Sequence, residues 1–410
     1  MNQNDGVFER CIFILFDGAR SDLFAELLEA GELPAIRRHL VEPGCSRSAV
    51  AAFPTVSGPG HLPFMTGCFP GTLNVSGVYW FDREAYGRSL TGLTGFRTYL
   101  GPFKVRKMNQ DVTPSTPNLA QVWPDVEYVF GWYTRGSADR ALLTRWTKSV
   151  SFVRGFMTKD WLQCDADAEV KLMQSVDGGA SFIFAVFPAP DELGHRFGPT
   201  GDETRTAYAR LDQTIDRLFK RLGDRSEADS TLVMIGSDHG QSNTHTHFPL
   251  DRFVEERVGR TLIYKRFATP LHGNKAAVLP NGNGMANVHF RGEGWTSGRP
   301  DLTAEPYQGL IGDLLEQEPM DILAWREEDG WIRMVSRRGA ARFRETGPSM
   351  TEYDPSASDP FGYEGLEGAV SFDQWLQATA DHDYPDGPVS LATHLRAPRS
   401  GDLIVTTFPG

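Results

Sequence analysis

Three short apolar runs in this chain end in groups able to bind a cation. "CIFILF" (11–16) runs into Asp17, "SFIFAVF" (181–187) leads through Pro-Ala-Pro to Asp191, and "TLVMIGS" (231–237) stops at Asp238-His239. His195 follows four residues after Asp191. In an open parallel sheet the carboxyl ends of the strands share one edge, and ligands bind there. Three carboxylates on that edge repel one another unless a cation neutralises them. Imidazoles are the nitrogen ligands such a cation takes. Each residue also has a plainer reading: the aspartates can cap the helices that follow, and His239 can be a hydrogen-bonded core imidazole. That all of them fall at one edge favours a metal site.

The two motifs differ in specificity. In "PDELGHRFGP" the flanking Pro and Gly predict a loop from which Asp191 and His195 both turn inward. In "SDHG", Gly240 lets the backbone pivot directly after the strand. A nucleophile is sought in "AAFPTVSGPGHLPFMTG" (51–67), where an apolar run stops at Phe53-Pro54 and Thr55 stands on a tightly constrained turn. Thr55 can cap the helix that follows. It can also be a nucleophile, because a metal beside a hydroxyl lowers its pKa and the turn exposes backbone N–H groups to an anion. Thr55 is therefore expected both to bind metal and to attack.

Positioning these groups requires βα units. Short apolar strands alternate with longer helical patterns, as in a parallel sheet covered by helices. "CIFILF" is continuously apolar, as a strand buried on both faces should be. "EYVFGWY" (127–133) is another strand candidate, and a helix is predicted to start at Ser21. In "ETRTAYARLDQTIDRLFKRL", Tyr208, Leu211, Ile215, Leu218 and Leu222 repeat at helical spacing. The fold class expected is α/β, a central mostly parallel sheet flanked by helices, with a smaller α+β insertion or cap.

Residues 1–249 are expected to form that core. Residues 250–350, with shorter alternating strands around a helix at 303–317, form the insertion. Residues 351–410 return to the core, with 345–370 read as loop and a last helix and strand at 371–379 and 402–408. The chain's stop after that strand suggests a truncated C-terminal end.

With 40% hydrophobic and 23% charged residues over 410 positions, the composition is that of an ordinary globular protein. A net charge of −12 argues against general nucleic-acid or anionic-membrane binding. It leaves room for an anionic substrate, since a buried metal reverses the local field. The four cysteines are far apart and form no disulfide frame. No apolar stretch reaches membrane-spanning length, and cytoplasm is the expected location.

Together, "FILFDGAR", "FPTVSGPGHLPFMTGCFPG", "PDELGHRFGP" and "SDHGQS" resemble the alkaline phosphatase superfamily and its nucleotide pyrophosphatase/phosphodiesterase branch. The resemblance covers roughly residues 10–80 and 180–245. It implies two zinc ions bridged by the reacting oxygen, and the mixed nitrogen and oxygen ligands leave manganese or iron open as alternatives. Asp17, Asp238, His239 and Thr55 would hold one; Asp191, His195 and a late histidine the other. Thr55 would attack phosphorus in line and form a phospho-threonine that water then hydrolyses. The implied substrate is a small phosphoester or nucleotide-like molecule.

The sequence departs from the branch in two places. Where the branch often carries "HGIxxN", this chain has "LNVSGVYWFDR", with Leu73 and Val78 in those positions and Asn74 as the possible substitute. The late His-Gly motif is also missing, leaving His245 and His247 in "SNTHTHFPL", and more weakly His382 and His394, as stand-ins near metal or substrate. His39, His61, His272 and His289 read as structural. Rival readings are a phosphonate hydrolase or phosphomonoesterase on the same core, or a non-catalytic phosphate-ligand binder should the last metal ligand be absent. "FPTVSGPG" lacks the C/S-x-P-x-R setting of sulfatases, and a threonine nucleophile counts against the independent phosphoglycerate mutases.

Overall fold

Four strands lie side by side in the order Val126–Val129, Phe182–Phe187, Arg10–Phe16, Thr231–Gly236, every neighbouring pair parallel. The register sets Phe16 beside Phe187 and Leu15 beside Gly236, so the carboxyl ends of the three motif-bearing strands are level. Consecutive residues Ile14, Leu15 and Phe16 are all buried, as a strand covered on both faces requires. The computed structural model describes residues 8–88, 95–100, 106–123, 125–135, 141–263 and 273–409. His272 and the end of "TLIYKRF" fall outside them.

The helical stripe takes its expected place. The Asp202–Asp224 helix buries Tyr208, Leu211, Ile215, Leu218 and Leu222 against the sheet's core. Each fully buried aliphatic side chain of that kind contributes about 1.5–3 kcal/mol. Asp212 in the same helix is buried too, and its Oδ1 accepts the Ile36 N–H at 2.8 Å. None of the helices among the described residues is long and apolar enough to cross a membrane.

The second half of the chain builds a separate sheet of nine strands. Its order is Gly368–Ser371, Met350–Pro355, Ala340–Gly347, Ile332–Val335, Met320–Arg326, Leu403–Thr407, Met285–Phe290, Ala276–Asn281, Thr261–Ile263. All neighbours are antiparallel except the last pair. Two expectations are corrected by this pairing. Residues 351–410 do not return to the first sheet: Leu403–Thr407 lies between Met320–Arg326 and Met285–Phe290. The stretch 345–370 is not all loop either, because charges that suggest solvent are cross-strand partners. Arg344 Nε donates to Glu352 at 2.7 Å and Arg342 to Asp354 at 2.9 Å.

Buried amides join the two halves. Tyr79 N–H donates to Asn281 Oδ1 and Asn281 Nδ2 to the Tyr79 carbonyl, both at 3.1 Å, while Asn287 Nδ2 donates to the Ser76 carbonyl at 3.1 Å. Between these contacts lies Gly77, where a Cβ would come within 2.0 Å of Asn281 Oδ1. Arg83 Nη1 grips both oxygens of buried Asp402, at 2.6 and 2.7 Å, and Asp402 also accepts the Phe290 N–H at 2.7 Å. Removing one partner of such a pair strands the other's buried charge. Asp402→Ala is expected to lower unfolding stability by about 3–5 kcal/mol, read as a fall in the guanidinium midpoint.

Candidate active site

Level strand ends deliver the acids to one place. Asp17 follows Phe16 directly, and its N–H donates to the Phe187 carbonyl at 3.1 Å, locking the two strand ends together. Asp238 follows two residues after Gly236, and its Oδ1 accepts the Gly18 N–H at 3.3 Å. Asp17, Asp238 and His239 are each less than a tenth exposed. Gly18 is in the left-handed region at φ 69°, and a Cβ there would stand 2.7 Å from Asp191 Cβ. Only glycine lets the first strand's turn come this close to Asp191.

Asp191 and His195 reach the site from a helix, not from a loop. Residues Ala189–Phe197 are α-helical, with Pro188 as N-cap and Asp191 and Glu192 in the first turn. The buried Asp165 carboxylate accepts the Ala189 N–H at 3.0 Å. Proline suits a helix's first turn, acids suit its positive end, and neither signal was given weight in the loop reading. Helical i, i+4 spacing then puts His195 Nε2 3.4 Å from Asp191 Oδ1, with the imidazole half exposed. Gln241 Nε2 holds Asp191 from the other side, donating to its carbonyl at 2.9 Å and to Oδ1.

The hydroxyl that meets this cluster is Ser57, not Thr55. Ser57 Oγ donates to Asp17 Oδ1 at 2.8 Å and lies 3.1 Å from His239 Nε2. Thr55 is exposed and has no hydrogen bond to any of these groups. The reason is the turn itself. Val56 N–H closes on the Pro54 carbonyl at 2.9 Å and Gly60 N–H on the Val56 carbonyl at 3.0 Å, so the chain coils inward only after Val56.

The structure also brings in a residue read as structural, His61. It is 1% exposed, with Nε2 3.4 Å from Asp17 Oδ2 and 3.3 Å from Asp238 Oδ2. Its position four residues after Ser57, in a coil tightened by Gly58 and Gly60, was the signal in the sequence.

The remaining candidates are not gathered. His245 and His247 are exposed in the irregular segment after "SDHG". Asn74 Oδ1 accepts the Arg399 N–H at 3.3 Å and so clasps a distant loop. His394 is buried with Nε2 3.0 Å from Asn287 Oδ1, and His382 Nδ1 accepts the Tyr384 N–H at 3.2 Å.

Whether these residues suit a cation can be judged from their own polarity. Asp17, His61 and Asp238, and likewise Asp17, Asp191 and His239, each offer ligand atoms within 4.8 Å of one another. Both ring nitrogens of His61 and Asp238 Oδ2 are buried without a hydrogen-bond partner. His239 Nδ1 lies 2.9 Å from the Gly240 carbonyl; donating there leaves Nε2 free as a ligand. Burial opposes charge on His239, yet Asp238, Asp17 and Asp191 outweigh it and hold the imidazole up at about 9. For His61 burial is likewise overcome by the carboxylates of Asp17 and Asp238, and its pKa is raised. The pocket thus draws positive charge from whatever can supply it, and hard oxygens mixed with imidazole nitrogens suit a divalent cation.

Behind the cluster stands Lys148. Its Nζ donates to the Gly131 carbonyl at 3.0 Å and sits 5.0 Å from the centroid of Trp132, whose ring meets His61 edge-on at 6.2 Å. Burial pushes this lysine down to about 7, against the negative charge of Asp17.

Comparison with known proteins gives the family and the fold. Residues 11–293 match the sequence model of the family described as type I phosphodiesterase / nucleotide pyrophosphatase. Over 277 residues the chain is 20% identical to an uncharacterised pyrophosphatase/phosphodiesterase of Schizosaccharomyces pombe, covering 66% of this chain and 53% of that protein. A stretch of 97 residues is 29% identical to the catalytic subunit of GPI ethanolamine phosphate transferase 3 of Mus musculus, covering 23% of this chain and 8% of the relative. The chain therefore spans about half the length of one curated relative and a small part of the other.

Among solved structures, phosphonoacetate hydrolase from Sinorhizobium meliloti 1021, in complex with phosphonoformate, superposes with a TM-score of 0.57 at 12% identity, covering 98% of this chain and 82% of the other. A variant of alkaline phosphatase PafA gives 0.56 at 13%, covering 98% and 86%. At such identities the likeness is one of fold: an alkaline-phosphatase-like α/β architecture.

Gly18→Ala is expected to lose about 1–3 kcal/mol, through both the positive φ and the contact with Asp191. Gly240→Ala, whose new Cβ would meet nothing nearer than Arg20 Cγ at 3.6 Å, should change stability by less than about 1 kcal/mol. Denaturant midpoints of the two variants check the contrast.

Proposed function

The chain belongs to the type I phosphodiesterase / nucleotide pyrophosphatase family, a family of phosphoric ester hydrolases, and on that footing we propose that it hydrolyses a small phosphodiester or nucleotide-like pyrophosphate with Ser57 as nucleophile. The observation that carries this reading is Ser57 Oγ at 2.8 Å from Asp17 and 3.1 Å from His239, within a cluster of cation-binding side chains. Asp17, Asp191, His195, Asp238 and His239 would hold divalent cations, zinc being favoured by the mixture of carboxylate and imidazole. Bound there, such cations supply a lowered hydroxyl pKa and neutralise phosphoryl charge.

The chain's own groups do the rest. Asp17 Oδ1 accepts the Ser57 hydroxyl and so aims a lone pair of Oγ away from the strand end. Oγ passes its proton to Asp17 Oδ1 and attacks phosphorus in line. The bond from phosphorus to the leaving oxygen breaks, and that oxygen departs with the electron pair and takes a proton from solvent. Ser57 is left esterified to the phosphoryl group that still carries the rest of the substrate. Water then attacks the same phosphorus, the Ser57 Oγ–P bond breaks, and Oγ regains a proton. His195, half exposed at the rim, keeps Asp191 in place while the leaving group departs on the solvent side. Thr55, previously expected to attack, takes no chemical part in this scheme.

Ser57→Ala should reduce turnover of an aryl phosphodiester by at least about 10³-fold, as losses of a nucleophile do. Thr55→Ala should retain activity within a few-fold. The reverse result would return the nucleophile to Thr55. Parallel assays with an aryl phosphomonoester and a phosphonate test the substrate class, and preference for either would move the assignment within the same fold.

A further inference from the structure

We propose that His61 is itself a metal-holding side chain, forming with Asp17 and Asp238 a deep cation position beneath the nucleophile. This rests on the metal-dependent reading above and adds a residue to it. Three observations support it. First, the pocket is closed: His61 is 1% exposed, Asp238 2% and Asp17 4%. Second, both nitrogens of His61 and the facing Asp238 Oδ2 lack any hydrogen-bond partner, a costly state for buried groups unless something sits between them.

Third, the spacing is that of ligands and not of a hydrogen bond. Direct N–H···O bonds favour about 2.9 Å, whereas donor atoms at about 2.0–2.2 Å from a tetrahedral cation stand about 3.3–3.6 Å apart. His61 Nε2 is 3.4 Å from Asp17 Oδ2 and 3.3 Å from Asp238 Oδ2. The ring is held for this task by Trp132 and Phe184, whose centroids lie 6.2 and 6.4 Å away.

The position has a mechanical consequence. Asp17 gives Oδ1 to Ser57 and Oδ2 to His61, and both residues belong to one tight turn. A cation held by His61 therefore fixes the same turn that presents the nucleophile.

The test uses the full chain, stripped with a chelator and titrated with Zn²⁺ against a competing metal indicator. His61→Gln and His61→Asn are expected to weaken one equivalent by at least about 100-fold, beyond the 10–100-fold typical of outer-shell changes. Thr55→Ala, at an exposed residue outside the cluster, should leave both the count and the affinities within about threefold. X-ray absorption on the zinc-loaded wild type, which does not depend on either variant folding, should show imidazole scattering from His61 in addition to His195 and His239. Wild-type affinity in both His61 variants, or a spectrum with only two imidazoles for the bound zinc, overturns the assignment while leaving the Ser57 hydrolase reading intact. A wild type that binds no zinc overturns both.

Discussion

Carboxylates gathered around Asp17, from the level ends of parallel strands and from the helix that follows one of them, are the constraint from which the rest of this protein follows. The sheet's register places Asp17 and Asp238 there, where burial denies them water, and the Ala189–Phe197 helix adds the partly buried Asp191. Left alone they would repel and protonate. The surrounding molecule is arranged to supply compensating positive charge: the imidazoles of His61, His195 and His239, the backbone N–H of Gly18, and ligand atoms grouped as a divalent cation needs them. A hydroxyl is then introduced from a separate turn, so that the charge gathered to stabilise the acids can also act on phosphorus.

Much of this was legible in the linear chain. Continuous apolar runs ending in Asp reveal buried parallel strands with acidic tips, because few other arrangements make that pattern stable. The heptad-like stripe from Tyr208 to Leu222 was equally plain. What escaped reading has a common cause, namely that local pattern does not say which way a short segment turns. Thr55 and Ser57 are two residues apart on a non-periodic coil, and only backbone closure at Val56 decides between them. "PDELGHRFGP" carries helix-breaking residues at both ends, and their favourable place in a first turn was invisible until Asp165 was seen to cap it.

The second sheet was harder still. Its polar strands pair Arg344 with Glu352 and Arg342 with Asp354, partners that look like solvated charge when taken singly. His61 illustrates the same limit. A lone imidazole gives no hint of its partners when those lie on strands roughly forty residues before it and nearly two hundred after, and only the assembled fold reveals them.

The amide clasp between the halves carries a temporal meaning. Tyr79 and Asn281 are 202 residues apart, and Asn74 and Arg399 are 325 apart. Closing spans of that size is slow relative to local helix formation. During synthesis, the segment behind the nucleophile must wait for partners that emerge from the ribosome long after it. A nascent chain would therefore carry its hydroxyl through a long stretch of elongation without the backing that holds it, gaining competence only once the strands of the second sheet have been threaded into place.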